Sequence, residues 1–363
     1  MKNRILFLVM TCLFLTCGQS IVNAHVHVIM LCKWDSDFEP YWCIVQDSVL
    51  SIKKVTEKEA NLGMDIFKYG NEYSYEEFAG YIKEIRIDEG ITSIDDNAFQ
   101  NFKNLVSVSI PNGVTYIGEN AFQGCTNLRN INIPSSVKKI GRKAFEFCES
   151  LETVGIPEGV NVIGDYAFRG CKNLKVVNLP NSVEHIGKCA WGNCISLTSF
   201  EFPNALRKIE GCTLLGCSNI KSILLPLSLE YIGRYAFADC NYLSTIHIPE
   251  NVDTIKYCAF ENCSQLVTIE MPKHLNELES AFFGCSNLMS IEIPEGIKEL
   301  PRGLFDGCEK LKSITIPQSI DSIKGYEFKE CKSLEEINAY MHTSIDSRVL
   351  EQNPNIKIIR KYE

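Results

Sequence analysis

From about Ile94 to Ile337 the chain repeats one phrase every 23 residues. One copy runs Ile117-Gly-Glu-Asn-Ala-Phe122-Gln-Gly-Cys125-Thr-Asn-Leu128-Arg-Asn-Ile131-Asn-Ile133-Pro134-Ser-Ser-Val137-Lys-Lys, and Ile140-Gly141 opens the next. The opening aliphatic returns at Ile94, Ile117, Ile140, Ile163, Ile186, Ile209, Ile232, Ile255 and Leu278, then after one dropped residue at Leu300 and Ile323, which makes eleven units. A half unit precedes them, with Ile85, Ile87 and Ile91 at the expected offsets. A fixed period of this length is the mark of a solenoid, in which each unit can bury its apolar face only against a neighbour.

Each copy has two textures. Leu128-x-x-Ile131-x-Ile133 alternates at its end, the period of a half-buried strand. Pro134 stops that strand, because proline has no N–H to give a ladder. Ala121-Phe122-x-x-Cys125-x-x-Leu128 has helical or turn-like spacing, and Val137 and Ile140 bring the chain back inward. The expected fold class is therefore an α/β repeat solenoid: a curved array with one short strand per coil and an irregular or helical return.

Leu-x-x-Ile-x-Ile-Pro, then Val, then Ile-Gly-x-x-Ala-Phe-x-x-Cys resembles the BspA-like class of leucine-rich repeats over roughly residues 82–340, about 70% of the chain. No Asn ladder follows the strand and Pro stands early in the turn; that departure from the general leucine-rich pattern is typical of this class. It leaves open how the turn satisfies its backbone groups. The organisation expected is a signal peptide at 1–24, an N-terminal cap at 25–81, a solenoid of about eleven to twelve coils at 82–340, and a C-terminal cap at 341–363.

Lys2 and Arg4, an apolar run from Ile5 to Leu15 too short to span a bilayer comfortably, and small residues at Val22-Asn-Ala24 read as an export signal. The rival reading is a buried N-terminal strand or helix. Cys17 faintly resembles a lipidation site, but Thr16 before it fits poorly. In the cap, Trp42 to Ile52 suggests a hairpin turning at Gln46-Asp47-Ser48. BspA-like proteins often carry a similar Trp-containing hairpin ahead of the array. Tyr69, Tyr73, Tyr75 and Phe78 are expected to pack onto the first coil. At the other end, Ile356-Lys-Ile358-Ile359 could form a closing strand.

Charge excludes one class of partner. The net charge is −9, and cutting after Ala24 leaves 34 basic side chains (the 36 less Lys2 and Arg4) against 45 acidic, or −11. Such a chain is a poor ligand for phosphate backbones, so nucleic acid is not expected. No second hydrophobic span appears, and no transmembrane span is expected in the mature chain.

Ten of the 17 cysteines hold one position in successive coils: Cys125, Cys148, Cys171, Cys194, Cys217, Cys240, Cys263, Cys285, Cys308 and Cys331. Phe102 fills the same slot in the first unit, which favours buried free thiols over a disulfide or metal column. Cys189, Cys212 and Cys258 share a second position. Cys189 and Cys212 are one coil apart and could cross-link; Cys258 is two coils beyond. Cys32 and Cys43 flank Trp34 and Trp42, and a Cys32–Cys43 disulfide is expected if the chain is exported.

Catalytic motifs are missing. There is no Gly-x-Ser-x-Gly, His-Glu-x-x-His, Gly-rich phosphate loop or Cys-x-x-Cys, and none of the six histidines has an evident nucleophile or acid partner. His25 and His27 alternate without a third ligand, and Asp35, Asp37 and Glu39 fit a solvated loop. No catalytic residue, metal or cofactor is expected. What remains is surface. Outward positions of the strands form a column: Arg86, Ser109, Asn132, Gly155, Asn178, Glu201, Leu224, His247, Glu270, Glu292, Thr315 and Asn338. A neighbouring column is rich in Ser and Thr, as suits an exposed strand. The first varies more, and Asn132, Asn178, Glu201, Leu224, His247, Glu270, Glu292 and Thr315 are the candidate partner-binding residues.

The resemblance implies an exported, non-enzymatic protein that is secreted or at the cell surface, since members of the class are associated with attachment to host matrix proteins and with cell–cell adhesion. An extracellular or host-surface protein is then the expected partner. Two alternatives remain: a secreted structural coat component, and carbohydrate binding by the cap, where Trp34, Tyr41 and Trp42 could stack on sugars.

Overall fold

The computed structural model describes residues 8–11, 26–31, 41–46, 48–54, 79–352 and 354–362. The alternating run in each repeat forms a three-residue strand, such as Asn130–Asn132 or Thr153–Gly155, with its middle residue inward and the outer two exposed. Pairing to the next coil is parallel and in exact repeat register, as in Val154↔Ile131 and Val154↔Val177. A second, two-residue strand follows the Pro turn. Lys139–Ile140 pairs with Tyr116–Ile117 on one side and Val162–Ile163 on the other. The result is a β-solenoid of about twelve turns with parallel strands.

The expected helical return is not there, and the α/β class is corrected to a β-solenoid. Helix among the described residues is confined to 79–81 and to Ser347–Gln352, outside the repeats. The return is instead a run of overlapping turns. Ala121, Gln123 and Cys125 donate to the carbonyls of Gly118, Asn120 and Phe122, three residues back. The intervening amides of Asn120, Phe122 and Gly124 donate to Arg142, Ala144 and Glu146 of the next coil. An α-helix needs negative φ throughout. Here Asn120 (54°) and Gly124 (74°) are left-handed, as are Lys143 and Phe147 one coil on. The spacing of Ala, Phe and Cys is the same in both conformations, which is why the sequence reads either way.

Where both strands pair, three ladders join a coil to the next: two strand ladders and one of turns. The Pro turn satisfies itself without an Asn ladder. Val137 N–H donates to Pro134 C=O (3.1 Å), while Ser136 Oγ donates to Val114 C=O (2.7 Å) and accepts from Gly113 N–H (3.1 Å). Ser182 repeats the device two coils later. Glycine after the opening aliphatic is required by close approach: a Cβ on Gly141 would lie 2.6 Å from the Gly118 carbonyl carbon.

Between the ladders runs one continuous core. Phe99, Phe122, Phe145, Phe168 and Trp191 stack face to face, with neighbouring centroids 5.2–5.8 Å apart. The stack stops at Leu214 and resumes as Phe237, Phe260, Phe282, Phe305 and Phe328. Phe200 and Phe202 fill the gap from the strand side, edge-on to Trp191 and Phe237 respectively. Phe102 is buried, in line with its reading as a stand-in for cysteine.

Tyr41–Gln46 and Val49–Lys54 pair as an antiparallel hairpin, and the second strand pairs in parallel with Glu84–Ile87. Val26–Leu31 and then Leu8–Thr11 extend that sheet to its outer edge, both antiparallel. At the far end Ser344–Ile345 and Lys357–Lys361 continue both strand ladders beyond residue 340. Tyr69, Tyr73, Tyr75 and Phe78 lie outside the described residues. No helix among the described residues is long and apolar enough to cross a membrane.

Candidate binding face

The three-residue strands lie side by side about 4.8 Å apart, so equivalent side chains form straight columns. Asn132, Asn178, Glu201, Leu224, His247, Glu270 and Glu292 are all exposed, and Thr315 is half-buried. They come together on one side because each is the third residue of its strand, and the inward middle residue (Ile131, Phe200, Ile223, Ile246 or Ile269) fixes the orientation. Leu224 is 59% exposed, and Leu227 is fully at the surface in the following Pro turn. Leu225, although adjacent in sequence, faces the core.

One side-chain contact joins two of the candidates. His247 Nδ1 lies 3.0 Å from Glu270 Oε2, one coil apart, with both side chains largely in water. Such exposed pairs contribute little to stability. Glu201 and Glu292 stand on either side of this segment and leave the later coils acidic.

A second polar line was not anticipated from the sequence. On the turn ladder Gln100 donates to Gln123, which donates to buried Glu146 (2.6 Å); Arg169 (3.3 Å) and Lys143 (3.4 Å) pair with the same carboxylate. Gln100, Gln123, Glu146 and Arg169 fall at one repeat position, so reading that column down the chain would have found the line. It is structural: every member serves another.

The column cysteines are inert. Each thiol donates to a carbonyl of the preceding coil, Cys148 to Phe122 at 3.2 Å for example, and burial pushes Cys125 up to about 12. Cys189 and Cys212 differ. Both are half-exposed, and no disulfide joins them. The Cys189 thiol hydrogen-bonds to Cys212 and, with Arg169 and Lys188 nearby, brings Cys212 down to about 7 against the opposing effect of burial. Cys189 is correspondingly raised, first by that hydrogen bond and then by burial. Cys258, at the equivalent position two coils on, goes up to about 12 through burial and the neighbouring Glu261. Cys32, Trp34, Asp35, Asp37, Glu39 and His25 lie outside the described residues, and Cys43, Trp42, Tyr41 and His27 are described only in their backbone. Among the described residues no group of three or more His, Cys, Asp or Glu could hold a metal ion.

This geometry defines a leucine-rich-repeat solenoid. The family pattern described as BspA type leucine rich repeat region matches residues 71–198, 161–283 and 266–361, and the chain belongs to that family. No curated protein matches the chain. Among solved structures, a leucine-rich repeat protein from Bacteroides ovatus is similar at 25% identity and a TM-score of 0.57, covering 95% of this chain and 100% of that one. One from Eubacterium ventriosum shares 22% identity with a TM-score of 0.50, covering 85% and 90%. The pneumococcal vaccine antigen PcpA shares 17% identity with a TM-score of 0.51, covering 89% and 97%. The last two likenesses concern the fold alone. Neither the family nor these neighbours indicate a catalytic activity.

Proposed function

We propose that the chain is an exported, non-enzymatic recognition protein, secreted or held at the cell surface, whose strand face binds another protein outside the cell. One observation carries this reading: the scaffold repeats while the outward third residue changes from coil to coil through Asn178, Glu201, Leu224, His247 and Glu270. A rigid sheet of this kind loses little entropy on docking. On that column Leu224 stands exposed between Glu201 and His247, an apolar contact amid charged and polar ones. The outermost strand, Leu8–Thr11, contributes only an edge, so its removal with a signal peptide would leave the repeat core whole.

The test is capture from extracellular-matrix and epithelial surface proteins with the mature chain, against a variant carrying Glu201→Ala, Leu224→Ser, His247→Ala and Glu270→Ala. Loss of the captured protein by at least about ten-fold, with far-UV circular dichroism and Tm unchanged, is expected. Equal capture by the folded variant would rule this face out. Self-association without any capture would favour a structural coat.

A further inference from the structure

One junction in the array combines a break in both strand ladders with a break in the aromatic stack. Between the coil containing Trp191 and the coil containing Leu214, neither sheet pairs continuously. Val176–Asn178 ends one ladder and Ser199–Glu201 begins another; His185–Ile186 and Lys208–Ile209 are likewise in separate sheets. The ring stack also lapses there, because Leu214 stands where the other coils place an aromatic. The turn ladder alone is unbroken, with Cys189, Trp191 and Asn193 donating to Gly211, Thr213 and Leu215. Cys189 and Cys212 sit on that ladder, one on each side of the junction.

We propose that Cys189 and Cys212 form a thiol–disulfide exchange site, in which Cys212 attacks a low-molecular-weight disulfide and Cys189 resolves the adduct into a disulfide that staples this junction. Equivalent residues of adjacent coils are separated by about 4.8 Å, inside the Cα range of a disulfide. Both residues share a left-handed backbone, 53° and 59°, and so leave equivalent turns in the same sense; forming the bond draws their Cβ atoms in from the coil spacing to the roughly 3.5–4.5 Å that a disulfide needs. The two thiols are close enough to perturb each other's ionisation. Both are half-exposed, so a small oxidant reaches them, whereas the column cysteines, at the same spacing, are sealed and engaged with carbonyls.

The groups facing the pair are Asp165, Tyr166, Arg169 and Lys188. The two cations favour thiolate at Cys212, and a thiolate is the attacking species in exchange. In the first step the Cys212 sulfur bonds to one sulfur of the external disulfide; its S–S bond breaks, and the departing thiolate takes a proton from water. In the second, Cys189 gives up its proton and its sulfur displaces the remaining external thiol. Two protein thiols are oxidised and one external disulfide is reduced to two thiols.

Glutathione disulfide is the probe. The reduced full chain is incubated with it near neutral pH and mapped by mass spectrometry without reductant. A Cys189–Cys212 peptide should form first, with Tm rising by several degrees. Cys189→Ser should trap glutathione on Cys212, Cys212→Ser should abolish both products, and Cys258→Ser should change neither. In the unmodified chain, alkylation at pH 7 should label Cys212 at least about ten-fold faster than Cys258, a rate that rises through pH 7 as thiolate accumulates. Equal labelling of Cys212 and Cys258, a different pairing, or a disulfide that leaves Tm unmoved overturns the proposal.

Discussion

Glu327 shows how strictly single positions are specified. It fills the slot held by Ala121, Ala144 and Ala167 in earlier coils and is buried. Its Oε1 accepts from Lys324 N–H at 3.0 Å, but Oε2 has no partner. A buried unsatisfied polar atom costs about 1–3 kcal/mol, and the one bond made offsets part of that. Glu327→Ala should therefore raise stability by about 1 kcal/mol, read as a higher urea midpoint; a lower midpoint would show that the Lys324 contact outweighs the orphaned oxygen. Much at this scale was legible from the sequence. The alternation that sent Ile131 inward and Asn132 outward, and the substitution of Phe102 for cysteine, both follow from side-chain chemistry alone. The Glu146 line and the contrast between Cys212 and Cys258 were not, because they depend on what the neighbouring coils contribute: Gln123 and Arg169 in one case, and in the other Cys189, Arg169 and Lys188 around Cys212, where burial and the Glu261 of its own coil govern Cys258.

At the scale of elements, strand and stop were readable and the return was not. Pro134 ends its strand for a local reason that needs no tertiary knowledge. The turn run has no such marker. Left-handed backbone falls on Gly124 and Asn120, which tolerate it, but equally on Lys143, Phe147 and Tyr166, which do not advertise it. Those residues are held there because alternate amides must reach the next coil. The prediction at this scale concerns the glycine that lets the ladders close. Gly141→Ala places a Cβ against the Gly118 backbone, where no side chain can yield. It should cost about 1–3 kcal/mol, the range for overpacking. Gly155→Ala, with open space around its Cβ, should change Tm little. Equal melting of the two variants would mean the coils are spaced more loosely than the ladders imply.

Over the whole molecule, stability is a sum of neighbour contacts rather than the property of one centre. Removing residues 141–163 joins Ile140 to Gly164 in the same phrase. It sets Phe122 against Phe168 and leaves Gln123 beside Arg169, with every ladder restored. That shortened chain should fold with an unchanged circular dichroism spectrum per residue. Removing 141–152 instead breaks the phrase and should yield aggregated or partly melted protein. A full-period deletion that unfolds the chain would show that distant coils depend on one another.

The in-register stacking of one coil on the next also fixes how the binding face can change size. Span is quantised: a duplicated or excised unit moves the two ends apart or together by about 4.8 Å while leaving every remaining side chain in its old surroundings. The molecule behaves as a ruler whose graduations can be added or struck out one at a time.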